Sequence, residues 1–137
     1  MKRAALYAFT VLTACAAHAA DLTVEVRGVA EAKGTILIAV YDNAASWLKK
    51  PAHSTRVDAT TGTVTATIAG LAAGSYSVSL YHDVNGNGRL DSNQLRIPIE
   101  PYAFSNGASG MFGPPSYEEA RFELPAQGAR IVVALRS

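Results

Sequence analysis

Residues 63–80 read TVTATIAGLAAGSYSVSL, two alternating runs on either side of a glycine-bounded corner. The apolar members are Val64, Ala66 and Ile68 in the first run and Tyr76, Val78 and Leu80 in the second. Threonines and serines occupy the positions between them. An apolar side chain at every second position indicates a strand with one buried face. The stretch therefore predicts two strands joined by a short turn.

Similar runs occur on both sides of this pair. They are Leu22–Val26, Thr35–Tyr41, Phe122–Leu124 and Ile131–Leu135. Six short strands with almost no helical periodicity predict an all-β fold, a single Greek-key β-sandwich. One connection, residues 83–117, is far longer than usual. It is too rich in apolar residues for disorder, so we expect a long ordered loop with an extra strand over Gln94–Ile99.

The long connection begins with Asp83-Val-Asn-Gly-Asn-Gly-Arg-Leu-Asp91, which has the register of an EF-hand calcium loop. The predicted Ca²⁺ ligands are the side chains of Asp83, Asn85, Asn87, Asp91 and Gln94 and the carbonyl of Arg89. Gln94 stands where EF-hands carry a bidentate glutamate, which predicts weak binding, with a Kd of roughly 10⁻⁴ to 10⁻³ M. The alternative is structural: Asn85-Gly86 is a strong hairpin signal and could simply reverse the chain.

The first 19 residues have the features of a secretory signal peptide: Lys2 and Arg3, an apolar run, and Ala17-His18-Ala19 as a cleavage site. This predicts a periplasmic or secreted protein whose single domain spans 20–137. Leu12-Thr-Ala-Cys15 also resembles a lipobox, so a lipid anchor at Cys15 is the alternative. Without Lys2 and Arg3, ten basic residues remain against eleven acidic ones. We expect no nucleic-acid partner, no transmembrane segment, and an envelope or extracellular partner.

Longer motifs sharpen the interpretation. The corner IAGLAAGSYSVSL (68–80) resembles that of transthyretin-like and carboxypeptidase-regulatory-like sandwiches. Together with YHDVNGNGRLD (81–91), IPIEPYAFSN (97–106) and FGPPSYEEARF (112–122), it resembles the bacterial DUF2141 family of small exported domains. The resemblance implies export and a prealbumin-like sandwich, but no established activity. Arg96 departs from the glycine expected there, which predicts a less tight turn.

Catalysis finds little support in the sequence. There is no Gly-x-Ser-x-Gly or His-Glu-x-x-His motif, and no cysteine follows Cys15. We therefore expect a non-enzymatic module. One alternative is a hydrolase centred on His82. For His82 itself, the simpler expectation is a structural role in which it is hydrogen-bonded to the long loop. A further alternative is a metal-free site for a glycan, peptide or envelope partner built from loop aromatics. These are Tyr102, Phe104, Phe112 and Tyr117.

Overall fold

The structure is a computed structural model and describes residues 19–136, together with the isolated positions 5, 8, 10 and 11. Cys15 and most of the predicted signal segment lie outside the described residues. None of the helices in the described part of the chain is long and apolar enough to span a bilayer.

Within residues 19–136, eight strands form two sheets. In the three-stranded sheet, β1 (Ala20–Val29) lies between β4 (Gly62–Leu71), which is antiparallel to it, and β8 (Ala129–Ala134), which is parallel to it. In the five-stranded sheet, β2 (Thr35–Tyr41) lies between β3 (His53–Asp58) and β5 (Gly74–Asp83). The free side of β5 is shared by β6 (Tyr102–Phe104) and β7 (Phe122–Leu124). A 3₁₀ turn (Ser105–Gly107) and one helical turn, α1 (Tyr117–Ala120), complete the chain.

The core lies between the two sheets and follows the alternation of the sequence. Leu22, Val24 and Val26 of β1 are fully buried, and their exposed fractions are 0%. They belong to the same apolar cluster as the inward residues of β2 and β5. Burial of these two faces is the main stabilising contribution, at about 25 cal/mol per Å² of apolar surface. The predicted all-β sandwich is confirmed, while the closer likeness to transthyretin stays a prediction.

Two strands were not predicted, and one predicted strand is absent. β3 is an edge strand whose residues are exposed or half-buried. It has no buried apolar face, so no alternation in the sequence predicts it. β6 is only three residues long. The expected strand over Gln94–Ile99 is wrong, because Asn93 Oδ1 accepts the backbone N–H groups of Leu95 and Ile97 and closes a turn instead.

The turn after Asn93 also corrects the expectation for Arg96. Its φ is 60°, the left-handed region that favours glycine. The backbone therefore keeps the tight conformation despite the arginine side chain. For a residue with a Cβ, this conformation costs about 1 to 2 kcal/mol.

The segment 83–117 is ordered against the sandwich but is not one continuous loop. β6 interrupts it and adds to the five-stranded sheet beside β5. Ser105, fully buried, accepts the N–H of Val78 at 2.8 Å and donates to the carbonyl of Ala120 at 2.5 Å. The indole N–H of Trp47 donates to the carbonyl of Pro115 at 2.9 Å. These bonds attach the segment to β5 and to the connection that follows β2.

Candidate functional site

The candidate metal loop, residues 83–91, begins where β5 ends. Asp83 is the last residue of β5 and is only 2% exposed. Its Oδ2 accepts the backbone N–H of Gly88 at 2.8 Å, and its Oδ1 accepts that of Asn87 at 3.2 Å. The Asp83 carboxylate therefore holds the backbone of Asn87 and Gly88, positions 5 and 6 of the loop, close to the end of β5.

Two glycines allow this curl. Gly86 and Gly88 have φ values of 73° and 77°, in the region that side chains with a Cβ disfavour. The loop is not a plain hairpin: the strand that follows it on β5 is β6, which begins only at Tyr102. The structural alternative, in which Asn85-Gly86 joins two paired strands, is therefore wrong.

The second carboxylate gathers the two asparagines. Asp91 Oδ2 accepts the side-chain amide of Asn85 at 2.6 Å. Both oxygens of Asp91 accept the amide of Asn87, at 2.7 and 2.8 Å. The hydrogen bond from Asn87, followed by that from Asn85, lowers the pKa of Asp91 below its ordinary value. Asp91 is therefore an anion at neutral pH, with polar side chains converging on it.

Carboxylate and amide oxygens are the ligand types that hard cations prefer. Among the described residues, no group of three or more His, Cys, Asp or Glu side chains could hold a metal, so an ion here would rely on amide oxygens as well as two carboxylates. Each asparagine now turns its NH₂ group toward Asp91. Each amide oxygen meanwhile accepts a backbone N–H group, Asn85 Oδ1 that of Asn87 at 3.2 Å and Asn87 Oδ1 that of Arg89 at 3.0 Å. Coordination of an ion by the asparagine oxygens would therefore require both amides to turn and both of these bonds to break.

The other two predicted ligands are the carbonyl of Arg89 and the side chain of Gln94. The N–H of Arg89 donates to Asn87 Oδ1 at 3.0 Å, so the backbone of Arg89 is part of the curl. Gln94 is exposed in the following turn. Over residues 19–136, no side-chain hydrogen bond joins Gln94 to the loop. Its role as a ligand stays a prediction.

Glu100 is the residue that the sequence analysis missed. It is 7% exposed, and its two carboxylate oxygens accept the N–H of Val84 at 3.2 Å and the N–H of Asp91 at 3.0 Å. One side chain therefore ties together the two ends of the loop. The available signal was a single charged residue within the otherwise apolar stretch Ile97–Phe104.

The four loop aromatics do not form one surface. Tyr102 packs edge-on against Phe104 with ring centres 5.9 Å apart, and Trp47 lies 5.9 Å from Phe104 and 6.1 Å from Tyr117. Tyr117 is buried, whereas Phe112 is fully exposed. Three of the four therefore belong to a packed cluster around Trp47, and Phe112 stands apart from it.

His82 lies in the core rather than in an open cleft. It is 1% exposed, and its Nε2 is 2.6 Å from the carbonyl oxygen of Lys33. Because a carbonyl can only accept, Nε2 carries the proton and donates. His82 is hydrogen-bonded to the long loop, as expected, but through its backbone and not through this ring. Only the backbone N–H of His82 reaches that segment, at the carbonyl of Pro101, 2.8 Å away.

Residues 24–132 match the model of the family DUF2141, described as an uncharacterized protein conserved in bacteria. No curated protein and no solved structure matches the chain.

Proposed function

We propose that this chain, which belongs to the DUF2141 family, is an exported, non-enzymatic β-sandwich module that binds Ca²⁺ weakly through the 83–91 loop. The ion would hold the start of the long segment 83–117 in place. An unidentified envelope or extracellular partner would then recognise the ordered surface.

The observation that carries the proposal is the convergence of Asn85 and Asn87 on Asp91, with Asp83 closing the curl. Alternate residues of the loop turn inward, as calcium loops of this register require. Two carboxylates rather than three or four, and no bidentate glutamate in the register, favour a Kd of roughly 10⁻⁴ to 10⁻³ M. Such affinity suits an extracellular compartment, where calcium is plentiful.

The test is thermal unfolding in EDTA and in 5 mM Ca²⁺. For a Kd between about 0.1 and 1 mM, ligand linkage gives about 1 to 2 kcal/mol of stabilisation. For a domain of this size, that raises Tm by roughly 4 to 9 °C. Mg²⁺ at the same concentration should do less, because it demands stricter octahedral geometry.

Asp91→Asn tests the location of the site. The change keeps the shape of the side chain and removes one of the two anionic ligands, so the Ca²⁺ shift should fall to near zero. Asp21→Asn, at an exposed position of β1, is the matched control and should keep the full shift. An unchanged Tm in Ca²⁺ would refute the metal site, and a shift that survives Asp91→Asn would place the ion elsewhere.

Export is proposed on the N-terminal sequence alone. Mass spectrometry of the mature protein tests it: a chain beginning at Ala20 supports signal-peptide cleavage, and an acylated Cys15 supports a lipid anchor. An intact Met1 in the purified protein from its native host would contradict both.

A further inference from the structure

A groove of about 510 Å³ crosses the outer face of the five-stranded sheet, on the side away from the core. We call it the outer groove. Residues of β2, β3 and β5 line it, among them Leu37, Ala39, Ser54, Arg56, Ser79 and Tyr81. Leu37, Ala39 and Ser79 are half-buried although they lie in central strands, so no other element covers the floor.

The register of the sheet explains the hollow. Ala39 pairs with Ser54 on one side and Ser79 on the other, which gives a row of three small side chains across three strands. The neighbouring row holds Arg56 and Tyr81 on either side of Leu37. Since paired residues in a sheet lie about 4.5 to 5.5 Å apart, the small row forms a trough about 10 Å long. This length accommodates one or two sugar rings.

The walls of the outer groove carry an aromatic ring, which can stack against a sugar ring, and a guanidinium group, which can bind an anion. The hydroxyl of Tyr81 donates to the carbonyl of Gly88 at 3.0 Å, which fixes the orientation of its ring. Arg56 is exposed, and none of the ion pairs among the described residues involves it. Its planar guanidinium matches a carboxylate through two parallel hydrogen bonds. Ser54 and Ser79 add hydroxyl groups at the floor.

A peptide is the poorer fit. Extended peptides gain most of their affinity by adding a strand to a free sheet edge. Along the groove floor, the backbone of β2 is paired on both sides, with β3 and β5, whereas β3 has a free edge. A peptide would therefore add to β3, beside the groove, and an occupant lying on the floor is recognised through side chains, by an aromatic face, by hydroxyls and by one cation.

We propose that the outer groove binds an acidic sugar, a uronic acid within an oligosaccharide, with its carboxylate on Arg56 and its ring against Tyr81. Among the described residues, the hydrogen bond from Tyr81 to Gly88 joins the groove to the 83–91 loop. That bond needs no metal ion, so we expect the groove to bind the sugar with and without Ca²⁺.

The experiment is an NMR titration of the ¹⁵N-labelled protein with tri-galacturonate in EDTA, repeated in Ca²⁺. We expect saturable shifts centred on β2, β3 and β5 with a Kd near 1 mM, in both buffers. A neutral glucose trisaccharide and an N-acetylated tri-glutamate peptide should bind at least about tenfold more weakly, because each lacks one half of the recognised chemistry. Equal or tighter binding of either probe would overturn the proposal.

Variants locate the site. Arg56→Gln should weaken uronate binding at least about tenfold, since it removes a charge-assisted contact. Arg130→Gln, on the other sheet, changes net charge equally and should leave the Kd unchanged. Ala39→Ile fills the trough with a residue that strands favour. Ser54→Val does the same on the exposed edge strand β3, should Ala39→Ile disturb folding. Unchanged binding in a folded filling variant would refute the groove, whatever the result for calcium.

Discussion

Glu100 offers the sharpest test of how the 83–91 loop is held. Its carboxylate is 7% exposed and accepts two backbone N–H groups, from Val84 at 3.2 Å and Asp91 at 3.0 Å. A hydrogen bond to a charged group contributes about 1.5 to 3 kcal/mol, and the donors here are only partly buried, so the lower end applies. Glu100→Ala should therefore cost about 3 kcal/mol of unfolding free energy.

Glu100→Gln is the more informative change. The amide keeps one oxygen for one N–H group but turns its own NH₂ toward the other, so about half the loss, roughly 1.5 to 2 kcal/mol, is expected. With a urea m-value of about 2 kcal/mol/M, the midpoint falls by roughly 0.8 to 1 M. Urea unfolding at pH 7 in EDTA measures this without any contribution from bound metal.

Glu31→Gln is the matched control, because Glu31 is exposed in the connection between β1 and β2. Its midpoint should move by less than about 0.2 M. A Glu100→Gln midpoint equally close to wild type would refute the reasoning. It would mean that water satisfies the two loop N–H groups as well as the carboxylate does.

The remaining predictions concern the turns and the acid limit. Gly34→Ala should lower the free energy of unfolding by at least about 2 kcal/mol, because φ at Gly34 is 72° and an added Cβ would collide with the carbonyl oxygen of Asp83. Thermal unfolding measures this change. A loss below about 0.5 kcal/mol would contradict the packing of this turn. Arg96→Gly should stabilise by about 0.5 to 1 kcal/mol in urea unfolding, because it relieves a left-handed residue; a lower midpoint would show that the arginine side chain makes a compensating contact. The pKa of Asp91 is lowered by the hydrogen bond from Asn87 above all. Its stabilising contribution is therefore complete above the unfolded pKa of about 3.9 and is lost as pH falls through the lower folded value. The unfolding free energies of the wild type and of Asp91→Asn should be measured from pH 7 to pH 2. Below about pH 4 the wild type should lose stability more steeply than the variant. Parallel curves would contradict a stabilising role for the Asp91 carboxylate.

The alternation of apolar residues was sufficient for the sandwich. Runs such as Val64–Ile68 have one face that must be buried, and in a chain with almost no helical periodicity a second sheet is what covers it. The capping box formed by Ser116 and Glu119 is likewise a local feature, since its two reciprocal bonds join residues three positions apart. Strands without a buried face, such as β3, carry no such signal.

Part of the candidate loop was also predictable from the sequence, and part was not. Spacing along the chain predicted that Asp83, Asn85, Asn87 and Asp91 would turn inward, because alternate residues of a curled loop share a side and the glycines permit the curl. Glu100 could not be assigned from spacing, since it approaches the loop only after the chain has passed through a separate turn. The outer groove could not be predicted from the sequence either, because it depends on which residues of three strands stand opposite one another. Sequence determines which side chains must leave water and which local turns they make. The tertiary structure alone decides the register between distant strands, because that register minimises the energy of the whole sheet rather than of any one segment.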